Sequence, residues 1–503
     1  MNFNSLFSHL QEAGFSPFMQ NGHHNPRLTG IAHDSRKVMA GDLFCCVPGL
    51  RADGHWFVDE ALQRGASAIL CRQPLALQVP QLIVAEKDIR RAMGQAAALF
   101  YGFPAEKLRL IAVTGTNGKS TSAYMLRHLI SKAGFRCGLI GTIIYSDGAN
   151  DFEAERTTPE NCDIQRLLAQ MVTEGCDYCV MEASSHGLEQ GRLEGCLFEA
   201  ALFTNLTPEH LDYHVDMECY FQAKKLLFDK HMKINWLGVA NVDDRYGYLL
   251  WAEWPEKITP FSLHQKISGG CTVLRHSMTL EGINLDINLP NGEVVSHIKI
   301  PMTGRYNIHN ALGALALASR VGVELNNPSE VFSDMPQVPG RMEKYSFANG
   351  VTVIIDYAHS PDALQNVLGA LREVTKGKII SVFGLGGERY VNSRPAMGEI
   401  AATLSDYVFI TSDNPRSEDP KVISEQIAKG ILRVRIDFPY WIIIDRREAI
   451  NEALALAESG DVVFIGGKGP ERFIVYSDHK IPFNDTEAVR EWASRNKMEL
   501  LNQ

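Results

Sequence analysis

From residue 108 almost to the end of the chain, short apolar runs alternate with longer stretches of helical periodicity. Runs at 108–113, 137–140, 178–181, 200–204 and 237–241 are too short for helices and predict buried strands, while 123–130 behind the first carries a helical apolar face. The pattern restarts near 339, with strands predicted at 351–356, 379–383, 407–411, 441–444 and 462–465 and helices at 363–374 and 447–458. Ahead of both, 28–105 reads as a smaller α/β unit with apolar runs at 43–47, 68–71 and 81–84. Strands that alternate with helices pair in parallel, so the predicted class is α/β with mostly parallel sheets. A chain of 503 residues is too long for one core. Three domains are expected: a small α/β domain at 1–105, a central P-loop-type domain at 106–338 and a Rossmann-like domain at 339–503.

Composition changes this picture little. The chain is 45% hydrophobic and 21% charged, as a globular protein should be, and its formal charge of −10 disfavours a nucleic-acid scaffold or an anionic membrane surface as partner. Residues 1–14 lack a basic segment followed by an apolar one, and no stretch approaches the roughly 18 apolar residues of a membrane span. A cytoplasmic monomer with neither nucleic acid nor membrane as partner is expected. The ten cysteines are scattered. The one C-x-x-C, Cys176 to Cys179, runs into a predicted strand and reads as a buried reduced pair.

The polar residues after the strands carry the candidate chemistry, because ligands of open parallel sheets bind beyond the strands' carboxyl ends. After 108–113 comes Thr114-Gly115-Thr116-Asn117-Gly118-Lys119-Ser120-Thr121. A strand, a Gly-rich turn and a helix start aim backbone N–H groups at one point and suit a phosphate. Lys119 would meet the β and γ phosphates of ATP and Ser120 would ligate Mg²⁺. The strict pattern wants glycine where Val113 stands, so this is a compressed form. After 178–181 comes Glu182-Ala183-Ser184-Ser185-His186, and after 200–204 comes Asn205 to His214, which includes His210. A carboxylate and imidazoles at the phosphate-loop edge can supply metal ligands. In the last region, strands end in Asp356-Tyr357-Ala358-His359, Gly386-Gly387-Glu388-Arg389, Asp413-Asn414-Pro415-Arg416 and Gly467-Lys468-Gly469-Pro470-Glu471. The Gly386-Gly387 turn lacks a complete G-x-G-x-x-G, so no dinucleotide site is read there. Arg beside Asp and Asn suits a zwitterionic amino acid, the guanidinium taking a carboxylate while Asp and Asn accept from an ammonium.

In their order and spacing these segments resemble the Mur ligases, ATP-dependent amino-acid-adding enzymes of peptidoglycan synthesis. The resemblance spans nearly the whole chain, from Asp34-Ser35-Arg36 through Thr157-Thr158-Pro159, Gly304 to Asn310 and Pro339 to Glu343. It implies phosphorylation of a D-glutamyl carboxylate by ATP, followed by attack of an amine on the acyl phosphate. It implies UDP-N-acetylmuramoyl-L-alanyl-D-glutamate and meso-diaminopimelate as substrates; L-lysine as the incoming amino acid, or a nucleotide-binding homologue with weak turnover, stays open. By resemblance the catalytic group is Lys119, Glu182, His210 and Lys224, and Mg²⁺ is held by Ser120, Glu182, His210 and Lys224, the last as a carbamate. ATP is held by 115–121 with Asn310, Arg341 and Asp356, and domain closure would assemble its site. The UDP-muramoyl peptide is held by Ser35, Thr157, Thr158, Ser184, Gln190 and Arg192. The amino acid is held by Arg389, Asp413, Asn414, Arg416, Gly467 and Glu471. Three positions depart from the family pattern: Glu209 stands for Asp, Ser393 for Lys and Pro470 for His.

Overall fold

The structure is a computed structural model that describes residues 1–49, 52–325, 327–388 and 391–501. The chain separates into two compact units, one of residues 1–261 and 313–325 and the other of 262–312 and 326–503.

The first unit holds two sheets. The five-stranded one runs, edge to edge, Phe18–Gln20, Gln81–Ile83, Ala68–Cys71, Asp42–Cys45, Gly30–Ala32; its first pair is antiparallel and the rest parallel. Asp42–Cys45 and Ala68–Cys71 are buried along their whole length, which is why they read as unbroken apolar runs. In the second sheet Arg109–Thr114 lies between Tyr178–Glu182 and Phe198–Phe203, parallel to both. Met232–Asn241 and Ile258–Ser262 continue one side in parallel. Cys137–Ile140 continues the other and turns into an antiparallel meander through Ile144–Ser146 and Asp151–Glu153. With the strands parallel, the turns after residues 114, 140, 182 and 203 emerge on one edge.

The second unit has a six-stranded sheet ordered Glu343–Ser346, Thr352–Asp356, Val462–Gly466, Ile379–Phe383, Tyr407–Ile410, Tyr440–Ile442, parallel except for the first strand. Val462–Gly466, the last strand of this sheet in chain order, is inserted between the first two parallel ones, and such a change of strand order opens a crevice at the carboxyl edge. This unit also contains three antiparallel strands, Cys271–Met278, Ile283–Asn288 and Val294–Ile300. The strand-helix alternation expected throughout 106–338 fails there. Ile283–Asn288 alternates buried and more exposed positions, the mark of a one-sided antiparallel strand.

Candidate active site

The turn after Arg109–Thr114 is built for close approach. Gly115 has φ +142°, and a Cβ on it would lie 1.9 Å from Thr204 Oγ1. Gly118, at φ +84°, caps the helix Lys119–Lys132 from the left-handed region that glycine tolerates. The loop is tied to the neighbouring strand end: Thr116 N–H donates to Asn205 O at 2.8 Å, Asn117 N–H to Asn205 Oδ1 at 2.9 Å and Thr204 Oγ1 to Asn117 O at 2.6 Å. Ser120 and Thr121 are buried on the first helical turn. A fixed loop before a helix N-terminus is an anion site in waiting.

Two lysines converge on it. Lys119 Nζ donates to Gly115 O at 3.0 Å and Thr116 O at 2.6 Å. Lys224, on the helix Met217–Lys230, donates to the same Gly115 O at 2.7 Å. Its side chain is buried, with Nζ 4.6 Å from the Tyr220 ring centroid. Burial, reinforced by the Lys119 charge, pushes the Lys224 amine well below its ordinary pKa, against a smaller opposing pull from Glu209. Glu182 is buried beside them. Its Oε2 accepts from Ser120 Oγ at 3.1 Å and Thr142 Oγ1 at 3.0 Å, and its Oε1 from Thr142 N–H at 2.9 Å. His210 stands at φ +57° ahead of the short helix Leu211–His214, its ring 4.9 Å from that of His186. Burial lowers its pKa, with Lys119 and Lys224 adding to the effect and Glu209 opposing it. His186 is pushed down to about 4 by burial and by the neighbouring His210 and His214. These rings are therefore neutral near pH 7. His214 faces inward instead, bonded to Ser185 Oγ at 2.9 Å and stacked on Tyr220.

The residues expected to hold the UDP-muramoyl peptide form a connected set. Thr157 Oγ1 is 3.0 Å from Thr142 Oγ1, which leads to Glu182. Thr158 Oγ1 donates to Glu182 O at 2.8 Å and accepts from Ser184 N–H at 3.0 Å. Arg192 donates to Thr158 O at 2.9 Å and Gln190 Oε1 at 2.6 Å. Ser184 also caps its helix through Gly187 N–H. Ser35 lies apart from this chain of bonds: it is buried and donates to Glu60 Oε2 at 2.7 Å. Sequence reasoning missed Thr142, although it follows the run 137–140 and the strand-end rule applied to the other runs would have found it.

In the second unit, Asn310 Nδ2 donates to Asn307 Oδ1 at 3.0 Å. Asp356 accepts from Met342 N–H at 2.8 Å and Ala358 N–H at 2.9 Å, and burial raises its pKa against the pull of Arg341. Tyr306 Oη and Arg341 Nε are buried without a hydrogen-bond partner among the described residues. Stranded donors cost about 1–3 kcal/mol each and mark a place where a polar ligand fits.

The amino-acid group forms around a lysine that was quoted in the sequence but given no role. Lys468 is wholly buried and donates to Asn414 Oδ1 at 3.2 Å, Glu471 Oε2 at 2.9 Å and Phe473 O at 2.7 Å. Asn414 Nδ2 also bonds Glu471 Oε2, at 2.7 Å. Asp413 stands 3.8 Å from Lys468, and burial raises its pKa despite that cation and Arg446. Burial would raise Glu471 too, but Lys468 and Asn414 outweigh it and hold this carboxylate below its ordinary range. Gly467 is at φ +104°, where a Cβ would lie 2.6 Å from Asp413 Oδ2. Arg416, at φ +52°, donates to Gly387 O at 2.6 Å. Arg389 lies outside the described residues. Arg446, which no sequence signal singled out, is fully buried in a two-bond pair with Asp485 at 2.7 and 2.8 Å; it also donates to Gly466 O at 2.9 Å and Ser412 O at 3.3 Å. It thereby fixes the two loops that carry Asp413 and Gly467.

Comparison with known proteins identifies the family. Residues 27–101 match the Mur ligase family catalytic domain, 113–318 the Mur ligase middle domain and 340–469 the Mur ligase glutamate ligase domain. The chain is 39% identical over 502 residues to a UDP-N-acetylmuramoyl-L-alanyl-D-glutamate--2,6-diaminopimelate ligase of Clostridium botulinum, covering 98% of this chain and 99% of that one. It is 40% identical over 471 residues to a ligase of the same name, numbered 1, from Clostridium acetobutylicum, with 93% and 95% covered. Among solved structures, one titled UDP-N-acetylmuramoyl-L-alanyl-D-glutamate--2,6-diaminopimelate ligase aligns with TM-score 0.63 and 30% identity over 93% of this chain and 95% of that one. A phosphate loop faced by a buried carboxylate and a buried lysine, with these full-length relatives, leaves one conclusion: the chain belongs to the Mur ligase family.

Proposed function

We propose that the chain is an ATP-dependent amide ligase that adds meso-diaminopimelate to UDP-N-acetylmuramoyl-L-alanyl-D-glutamate. The observation that carries this reading is the convergence of Lys119, Lys224, Ser120 and Glu182 on one phosphate loop. In the first step an oxygen of the D-glutamyl carboxylate attacks the γ phosphorus of ATP and ADP leaves. In the second, the amine of diaminopimelate attacks the acyl carbon, phosphate leaves and the amine gives up a proton. The protein's part is positioning and charge neutralisation. Lys119 meets the transferring phosphoryl group at the helix N-terminus. Asn310, Arg341 and Asp356 serve the nucleotide, and the stranded Arg341 donor supports that role.

The donor set fits Mg²⁺: a serine hydroxyl, a carboxylate 3.1 Å from it and an imidazole held neutral. Ser120, Glu182 and His210 would hold the ion, which neutralises phosphate charge when bound. A lysine ammonium would repel it. Lys224, whose proton is easily lost, is suited to take up CO₂ as a carbamate and supply oxygens instead. Thr157, Thr158, Ser184, Gln190 and Arg192 position the muramoyl peptide, with Ser35 serving its UDP end. Asp413, Asn414, Glu471 and Arg416 receive the incoming amino acid, the arginine taking the second carboxylate that lysine lacks. The division at 1–105, 106–338 and 339–503 is supported by the three larger sheets, each of which falls within one of these ranges, and by three matched segments, and we take the working form to be a monomer.

The test is phosphate release with each of several amino acids. Release should require both the UDP-muramoyl dipeptide and diaminopimelate and should collapse by orders of magnitude in folded Lys119→Ala. Release that ignores the dipeptide would sink the ligase reading. Equal use of lysine would sink only the choice of amino acid.

A further inference from the structure

A second group of potential ligands lies away from the phosphate loop. His33, Cys162 and Asp163 bring an imidazole nitrogen, a sulfur and a carboxylate oxygen within 4.8 Å of one another. His33 directly follows the strand Gly30–Ala32, whereas Cys162 and Asp163 lie on the first turn of the helix Asn161–Thr173. His33 Nε2 and Asp163 Oδ2 are 3.1 Å apart, and Cys162 is packed into the core behind the five-stranded sheet. Tetrahedral zinc, with bonds of about 2.0–2.3 Å, spaces its ligand atoms roughly 3.3–3.6 Å apart, so shifts of about 1 Å would close this set around one ion. His33 and Asp163, though not Cys162, also line a cavity of about 250 Å³, in which the cations Arg36, Lys37, Arg156 and Arg166 are offset by Asp34, Glu153, Glu155 and Glu160; from that side water could reach the ion as a fourth ligand.

We propose that His33, Cys162 and Asp163 bind a borderline-soft divalent cation of the zinc class. The cysteine sulfur, a donor that the phosphate-loop set of Ser120, Glu182 and His210 lacks, selects such an ion over Mg²⁺, so the two sites would not compete for one metal. On binding, the Cys162 S–H bond breaks, its proton leaves to solvent and a sulfur–metal bond forms without change of oxidation state. The occupied site would join the segment before Ser35 to the helix that follows Thr157 and Thr158. If those residues hold the UDP-muramoyl peptide as proposed above, metal binding would alter KM for that substrate and leave KM for ATP unchanged.

The binding claim is tested apart from that reading, by titrating the chelator-treated full-length protein with Co²⁺. One equivalent should produce a near-ultraviolet thiolate-to-cobalt charge-transfer band that Zn²⁺ displaces and excess Mg²⁺ does not. Cys162→Ser should abolish the band and His33→Gln should raise Kd at least tenfold. Cys219→Ser, which changes an exposed cysteine, should leave both intact. No band in the wild type, or a band that survives Cys162→Ser, overturns the proposal and leaves a plain His33–Asp163 pair beside a buried thiol. Should Cys162→Ser fail to fold, His33→Gln decides, because unchanged Co²⁺ affinity in that variant is equally fatal.

Discussion

Replacing Lys119 by methionine should lower carbamylation of Lys224 by between ten- and a hundredfold at fixed bicarbonate and pH. Both ammonium nitrogens bond Gly115 O, so with the two bonds laid end to end they stand no more than about 5.7 Å apart. Two unit charges at that separation repel by about 3 kcal/mol at an effective dielectric of 20, or about two decades in an equilibrium constant. The repulsion favours the neutral Lys224 amine, which is the form that attacks CO₂, and in the product the same Lys119 charge attracts the carbamate anion. Both effects vanish in Lys119→Met. Burial, the larger cause of the low Lys224 pKa, survives the substitution and already favours the neutral amine, so the loss stays below the sum of the two effects. Carbon-13 NMR with labelled bicarbonate reads the occupancy, the carbamate signal being assigned by its loss in Lys224→Ala. Equal occupancy in wild type and Lys119→Met would refute the coupling, and a signal that persists in Lys224→Ala would refute the site. The pH dependence has a definite sign. The unfolded chain holds the Lys224 proton up to about 10.5 and the folded one releases it at lower pH, so between those values the unfolded state binds more protons and stability rises with pH. Lys224→Met should therefore raise the melting temperature at neutral pH while abolishing turnover.

Thr142→Val removes a hydroxyl that orients Glu182, a loss of about 1–3 kcal/mol, and should cut phosphate release roughly ten- to hundredfold in a folded protein; unchanged release would exclude Thr142 from the site. Arg416→Ala should raise KM for diaminopimelate and narrow its advantage over lysine with KM for ATP little changed, as read by parallel kinetics with the two amino acids. Arg446→Met strands the buried Asp485 carboxylate and should cost about 3–5 kcal/mol in urea unfolding, most of it recovered in Arg446→Met/Asp485→Leu; an equally unstable double variant would refute the pairing argument. His186 titrates near 6.5 in the unfolded chain and near 4 in the folded one, so its contribution to stability is lost as pH falls through that interval; a wild-type acid-unfolding curve matched by His186→Gln would contradict this.

How much of this could be read from the sequence follows from how local each signal is. Strands buried on both faces are continuous apolar runs, and 68–71, 137–140 and 379–383 are found where they were expected, as Ala68–Cys71, Cys137–Ile140 and Ile379–Phe383. The phosphate loop is equally local, since strand, glycines and lysine are contiguous. Of the strands Cys271–Met278, Ile283–Asn288 and Val294–Ile300, the middle one was legible in principle, but its signal has period two and a search tuned to strand-helix alternation passes over it; the outer two do not alternate regularly. Lys224 is the opposite case. On its helix it looks like any solvated lysine, and only the tertiary placement of Gly115 O turns it into a buried amine. Arg446 shares that property: an arginine at a helix start is ordinarily hydrated, and its importance comes from Asp485, Gly466 and Ser412, residues 20 to 39 positions away in the chain. Residues that touch ligands thus tend to announce themselves at strand ends, because the fold delivers them there. Thr142 and Lys468 also lie at strand ends and were open to the same rule, whereas Arg446, which braces the loops of Asp413 and Gly467 from a helix start, becomes visible only once those strand ends have been brought together.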